Sequence, residues 1–74
     1  MKLKKLGNNE TQLHINKDLV VLFSYNTPVA FLQDGKYFKT NKKFSVTTSK
    51  HINKWIGEAP AQVVDQSKIE ELVK

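Results

Sequence analysis

A group of hydroxyl, amino and imidazole side chains occupies residues 47–51, Thr-Thr-Ser-Lys-His. Hydroxyl residues just before an apolar, helically spaced segment are typical of a helix start, where unpaired backbone N–H groups attract anions. Thr48 or Ser49 is therefore predicted either to cap a helix or, with Lys50, to hold a phosphate. No glycine-rich loop precedes the segment, which excludes a P-loop of the Walker type.

Positive charge is the second feature that suggests a chemistry. Residues 1–56 contain ten lysines and three acidic residues, a net charge of +7, whereas residues 57–74 contain two lysines and four acidic residues, a net charge of −2. A basic surface attracts polyanions, although lysines also serve solubility alone. The predicted nucleic-acid-binding residues are Lys39, Lys42, Lys43, Lys50, Lys54, Thr48 and Ser49, with Tyr37 as a platform on which a base could stack.

All twelve basic residues are lysines. Lysine attracts a phosphate as a point charge, while arginine supplies the planar fork that reads guanine. Any binding to nucleic acid is therefore expected to show little sequence preference. The chain has no cysteine and no His-Glu-x-x-His spacing, and its two histidines stand at positions 14 and 51. We expect no enzyme activity, no metal and no cofactor.

Local patterns predict the elements that position these residues. Residues 11–16 alternate between polar and apolar, and residues 19–25 are apolar on both faces, which is typical of a central strand. Asp34-Gly35 predicts a two-residue hairpin that places Phe31 opposite Phe38 on one face. Leu32 and Tyr37 fall on the other face. A second subunit could cover that face, so the pattern allows a homodimer. Residues 26–28 predict a bend or bulge.

Two helices are expected after the strands. The first begins at Thr48 or Ser49, ends before Gly57 and carries a core-facing stripe that includes Ile52 and Ile56. The second covers residues 67–74 and begins with a Ser67-x-x-Glu70 capping box. The predicted fold is α+β, with a small antiparallel sheet of about four strands, a central Asp-Gly hairpin and two short C-terminal helices on one face.

Residues 1–74 are expected to form a single small domain in which residues 1–8 are a flexible arm or an edge strand. A chain of this length needs most of its aromatic residues inside. Phe31, Phe38, Phe44 and Trp55 are predicted to be mainly core, and Tyr25 and Tyr37 to be more exposed. The longest apolar run is far too short to span a bilayer, and no signal peptide is recognisable, so we expect a cytoplasmic protein without membrane contact.

Two segments carry a family resemblance. Residues 25–30, Tyr-Asn-Thr-Pro-Val-Ala, and residues 47–52, Thr-Thr-Ser-Lys-His-Ile, resemble motifs of a group of small uncharacterised bacteriophage proteins. The resemblance covers roughly residues 19–73. It implies a phage-type origin and a domain of unknown function, and it implies no catalytic mechanism.

Three functions remain open at this point. The first is an accessory protein that binds the nucleic-acid backbone electrostatically, as DNA or RNA. The second is a module that binds and modulates a host or phage protein, with the acidic residues 57–74 in the interface. The third is a site for a small phosphorylated ligand at the helix start.

Overall fold

The computed structural model of the chain describes residues 2–7 and 10–73 and contains one mixed β-sheet and two helices. Residues 1 and 8 of the predicted N-terminal arm, and Lys74 of the predicted second helix, lie outside the described residues. The elements in chain order are β1 (Lys2–Gly7), β2 (Glu10–Asn16), β3 (Leu19–Ser24), β4 (Thr27–Gln33), β5 (Lys36–Thr40), α1 (Val46–Ile56), β6 (Ala61–Val64) and α2 (Gln66–Leu72).

The α+β class is confirmed, but the predicted number of about four strands is wrong because the sheet has six, in the order β1-β2-β3-β4-β5-β6. Strand β1 pairs antiparallel with β2, so residues 2–7 form an edge strand. Strand β6 pairs parallel with β5, from Tyr37 opposite Ala61 to Thr40 opposite Val64. A four-residue strand is too short for a pattern to predict, and its parallel direction follows from the helical crossover through α1.

The hairpin between β4 and β5 is confirmed in its register. Gln33 lies opposite Lys36, and Phe31 lies opposite Phe38. Asp34 and Gly35 both have positive φ, 52° and 78°, as a type I′ turn requires. The rings of Phe31 and Phe38 stack with centroids 4.6 Å apart.

The predicted irregularity near Pro28 is also confirmed, as a β-bulge inside the β3–β4 pair. Leu22 lies opposite Ala30, but Phe23 lies opposite Pro28, so Val29 is the additional residue. The turn before it contains Tyr25, whose φ of 58° is unusual for a residue with a side chain.

The two helices cover opposite faces of the sheet, so the prediction that both cover one face is wrong. Ile52 and Ile56 of α1 pack on Leu22 and Ala30. Ile69 of α2 packs on the other face, in a cluster that includes Val21 and Phe31. Because β3 and β4 are apolar on both faces, each face needs a cover to exclude water.

Helix α1 begins earlier than predicted. Ser45 is its N-cap, because the backbone N–H of Thr48 donates to Ser45 Oγ at 3.2 Å and that of Ser49 donates to the Ser45 carbonyl at 3.0 Å. Thr48 and Ser49 therefore lie inside the helix, and the prediction that one of them is the cap is wrong. The predicted end is confirmed, since Gly57 has φ 68° and its N–H donates to the Asn53 carbonyl.

Helix α2 follows Asp65, so Ser67 lies within it and does not form the predicted capping box. The Gln66 side-chain amide donates to the Pro28 carbonyl at 2.8 Å and to Glu70 at 3.2 Å. This contact with β4 is a tertiary one, which explains why the local pattern misplaced the start. Within residues 2–7 and 10–73, no helix combines the length and apolar character needed to cross a bilayer.

Candidate functional site

A cleft of about 320 Å³ opens between the end of β5 and one side of α1. We call it the lysine cleft, because three lysines lie in its wall. It is lined by Lys39, Thr40, Asn41, Lys42, Lys43, Ser49, Ile52 and Asn53.

The turn that follows β5 holds its two lysines at the cleft by backbone and amide contacts. The Lys42 backbone N–H donates to the buried Thr40 hydroxyl at 3.0 Å. The Asn41 N–H donates to the Val64 carbonyl at 2.9 Å, and the Asn41 side-chain amide donates to Asp65 at 2.8 Å. The turn is therefore tied to β5 and β6, while both of its lysine side chains remain exposed.

Four of the predicted site residues meet at the lysine cleft. They are Lys39, Lys42 and Lys43, from the strand end and turn, and Ser49, from the first turns of α1. Ser49 adds a hydroxyl group and Asn53 a side-chain amide to the wall that carries the three lysines, while the Asn41 amide donates to Asp65. Such a set can contact phosphate oxygens by charge and by hydrogen bonds.

Among the residues that the structure describes, no carboxylate lies within ion-pair distance of the cleft lysines. In the part of the chain that the structure describes, the one acid–base contact within ion-pair distance joins His51 and Glu10. Lys50 and Lys54, which were also predicted to contact phosphate, are exposed on α1 but do not line the cleft. Their ammonium groups can only extend the positive surface along the helix.

Two other predicted residues lie elsewhere. Thr48 is 5% exposed and faces the sheet. Tyr37 is half-buried, and its ring meets Trp55 edge-on with centroids 5.4 Å apart. Neither side chain is placed to contact a polyanion at the cleft. The homodimer was suggested by an uncovered sheet face that carries Tyr37. Helix α1 covers that face, so this observation no longer supports a dimer.

A series of polar contacts, not predicted from the sequence, lies beneath the start of α1. Glu10, Ser24 and Thr48 are its buried members, and Ser45 at its end is exposed. Ser24 Oγ is 3.0 Å from Thr48 Oγ1 and 2.9 Å from His51 Nδ1. His51 Nε2 lies 3.6 Å from Glu10 Oε1, and the Ser45 hydroxyl donates to Thr48 at 3.3 Å. We call this series, from Ser45 to Glu10, the buried polar chain.

The hydroxyl and imidazole groups of the buried polar chain can all donate in the same direction, from Ser45 towards Glu10. If Ser45 donates to Thr48 and Thr48 donates to Ser24, the Ser24 hydroxyl donates to His51 Nδ1, and the Nε2–H group faces the Glu10 carboxylate. A serine–histidine–carboxylate series also occurs in hydrolases. Ser24, however, is only 2% exposed and bonds two neighbours, which favours a clamp that joins β2, β3 and α1.

The sequence contained one indication of the buried polar chain, the position of Thr48 relative to Ile52. Thr48 stands four residues before Ile52, so both face the sheet once the helix begins at Ser45. The identity of the partners could not be read, because Ser24 and Thr48 are 24 residues apart and meet only through the fold.

A second cleft, of about 300 Å³, lies on the other side of the α1 start. We call it the aromatic cleft. It is lined by Ser24, Tyr25, Thr27, Val29, Phe44, Ser45 and Thr48. Tyr25 is 50% exposed, as predicted, but the prediction that Phe44 is core is wrong, since it is 36% exposed. Phe44 precedes the cap residue Ser45, outside both apolar clusters.

Comparison with protein families gives one match. A model described as a family of unknown function, DUF8033, matches residues 1–71, and the chain belongs to that family. No curated protein and no solved structure matches the chain. The chain is therefore a member of an uncharacterised family.

Proposed function

We propose that this DUF8033 protein is a small accessory protein of phage type that binds nucleic acid through its phosphate backbone, with little sequence preference. The observation that carries the proposal is the lysine cleft, where Lys39, Lys42 and Lys43 lie together beside Ser49 and no carboxylate of residues 2–7 or 10–73 is within ion-pair distance of them. The Tyr-x-Thr-Pro-Val-Ala and Thr-Thr-Ser-Lys-His-Ile motifs support the phage-type origin, and with it a place in the host cytoplasm.

The chemistry of the cleft suits a backbone better than a base edge. Ammonium groups neutralise phosphates and release their condensed counterions, which gives affinity that does not depend on sequence. The chain has no arginine to form a bidentate contact with guanine. We expect dissociation constants of roughly 10⁻⁴–10⁻⁶ M at physiological salt.

Acidic groups border the proposed binding surface on one side. Asp65 and Glu71 line a neighbouring open cleft with Lys68, on the side of β6 and α2. A polyanion on the lysine cleft would be repelled from that side. The exposed Lys50 and Lys54 extend the positive surface along α1, so a backbone is expected to follow this helix.

The test is the salt dependence of binding, measured by fluorescence anisotropy between about 50 and 200 mM salt. Replacing Lys39, Lys42 and Lys43 with glutamine removes three phosphate contacts, which should reduce the slope of log affinity against log salt by about 2 for a single strand and about 3 for a duplex. The matched control replaces Lys4 and Lys5 of β1 and Lys17, which removes the same charge from exposed positions.

The control variant should retain most of the salt slope. Equal losses in both triple variants would mean that net charge alone drives binding and that the lysine cleft is not the site. Unchanged binding in the cleft variant would contradict the proposal directly.

A protein partner is the second candidate function. Strand β6 is an edge of the sheet, and Val63 on it is 54% exposed next to the cleft that contains Asp65 and Glu71. An edge strand can pair with a strand of another protein. Binding of that kind would survive nuclease treatment and would be unaffected by the triple lysine variant.

A further inference from the structure

The aromatic cleft combines features that suit a flat, polar ring. Two exposed aromatic side chains, Tyr25 and Phe44, line it. The hydroxyl groups of Ser24, Ser45 and Thr48 in its wall bond one another, so the hydroxyl groups that face a ligand are those of Thr27 and Tyr25. Its volume of about 300 Å³ is at the small end of the range for small-ligand sites. Aromatic walls can stack on a heterocycle, and hydroxyl groups can donate to or accept from its edge.

Phe44 connects the aromatic cleft to the lysine cleft. Its ring lines the aromatic cleft, and the Lys42 ammonium lies 5.3 Å from the ring centroid. Lys43, the residue before Phe44, lines the lysine cleft. A phosphate held by Lys42 or Lys43 would therefore stand next to a partly exposed aromatic ring. An aromatic ring beside lysines matches a nucleotide, in which a base and a phosphate are joined in one unit.

The backbone at Tyr25 supports a functional role for the exposed ring. A positive φ of 58° in a residue with a side chain is disfavoured, and such conformations are concentrated at binding and catalytic sites. Tyr25 occupies the β3–β4 turn, where glycine or asparagine would fit with less strain. The strained turn places an aromatic ring, half of it exposed, at the cleft.

We infer that the aromatic cleft accepts an unpaired base of a single-stranded nucleic acid whose phosphates lie on the lysine cleft. This inference rests on the proposed function and names the substrate class. A base in a duplex is paired and stacked and cannot enter the cleft, whereas a single strand can turn a base out. Hydroxyl groups act as donors and acceptors alike, so the cleft discriminates little among the four bases.

The experiment compares three labelled ligands of equal length by fluorescence anisotropy at low salt. They are a single-stranded oligonucleotide, the same strand with abasic sites, and a duplex, each prepared as DNA and as RNA. We expect the wild-type protein to bind the base-bearing single strand most tightly. Stacking of one base predicts a preference of roughly 5- to 150-fold over the abasic strand.

Two variants locate the contact. Phe44→Leu keeps an apolar side chain but removes the stacking surface, so it should abolish the preference and leave affinity for the abasic strand unchanged. Tyr25→Leu should act in the same direction. Val46→Ala is the matched control, because Val46 is 70% exposed near Phe44 and does not line the aromatic cleft. Urea unfolding of each variant checks that the fold is intact.

The outcomes separate the two proposals. If all strands bind equally and binding depends on Lys39, Lys42 and Lys43, the base-binding inference is overturned and backbone binding stands. A preference for single strands that persists in Phe44→Leu and Tyr25→Leu would also overturn the inference. If no nucleic acid binds at low salt, both proposals fail.

Discussion

Replacing Ser24 with alanine removes the central member of the buried polar chain. Its hydroxyl joins Thr48, at 3.0 Å, to His51, at 2.9 Å, and these partners belong to α1 while Ser24 belongs to β3. The variant therefore tests whether the chain holds the helix on the sheet. Only one oxygen atom is lost, so cavity formation contributes little to the effect.

The expected loss of stability follows from the two bonds. Each hydrogen bond contributes about 1 kcal/mol, and a buried partner left unpaired adds to the cost. Thr48 still accepts from Ser45, and the His51 side chain is 14% exposed, so water can reach it. We expect Ser24→Ala to lower the free energy of unfolding by about 2–3 kcal/mol. That loss is a large fraction of the roughly 4–11 kcal/mol expected for a chain of this length.

The assay is equilibrium unfolding in urea, followed by the fluorescence of Trp55, the one tryptophan in the chain. With a slope of about 1–3 kcal/mol per molar urea, the midpoint should fall by about 0.7–3 M. Ser67→Ala is the matched control, because Ser67 is exposed on α2, and its effect should stay within about 0.5 kcal/mol.

A double-mutant cycle with Thr48→Val isolates the bond between the two hydroxyl groups. The double variant should lose about 1 kcal/mol less than the sum of the single losses, because the shared bond can be lost only once. If Ser24→Ala lowers the free energy of unfolding no more than Ser67→Ala does, the buried polar chain does not hold α1 on the sheet. The same conclusion follows if the losses of Ser24→Ala and Thr48→Val simply add in the double variant.

Two further predictions concern the helices. Ser45→Ala should destabilise the protein by about 1 kcal/mol through loss of the N-cap, whereas Ser49→Ala should change stability by less than about 0.5 kcal/mol. Urea unfolding distinguishes them, and the reverse ranking would contradict a helix start at Ser45. Ile69→Ala should cost about 2–5 kcal/mol, since Ile69 is fully buried between α2 and the sheet, while Val63→Ala, at a position 54% exposed, should be nearly neutral. Thermal unfolding by circular dichroism measures both, and equal effects would contradict packing of α2 on the sheet.

The parts of the fold that sequence reasoning predicted correctly are those with local causes. Asp34-Gly35 specifies a turn with two positive φ angles, and once the turn is set, the register of Phe31 against Phe38 follows residue by residue. The end of α1 at Gly57 is local for the same reason. The sequence likewise showed that most lysines precede residue 57, but it did not show which of those lysines share a cleft.

The parts that were missed depend on contacts between distant residues. Strand β6 pairs with the edge of β5 after the crossover, and the Gln66 side chain at the start of α2 donates to the Pro28 carbonyl of β4. The cap at Ser45 was misjudged because Thr48 and Ser49 are equally good caps in isolation. In the fold, the Thr48 hydroxyl bonds Ser24 of β3, and Ser45 accepts the hydrogen bond from the Thr48 backbone N–H.

The amino-acid sequence by itself determined the α+β class, the central hairpin with its two faces, and a basic surface made only of lysine. These properties follow from composition, from side-chain periodicity and from one turn, and all three act over short stretches of chain. Only the tertiary structure decided that Lys39, Lys42, Lys43 and Ser49 share a cleft, that the two helices lie on opposite faces, and that Phe44 is exposed. Those outcomes depend on how much apolar surface each face of the sheet must cover, which is a property of the assembled sheet and of no single segment.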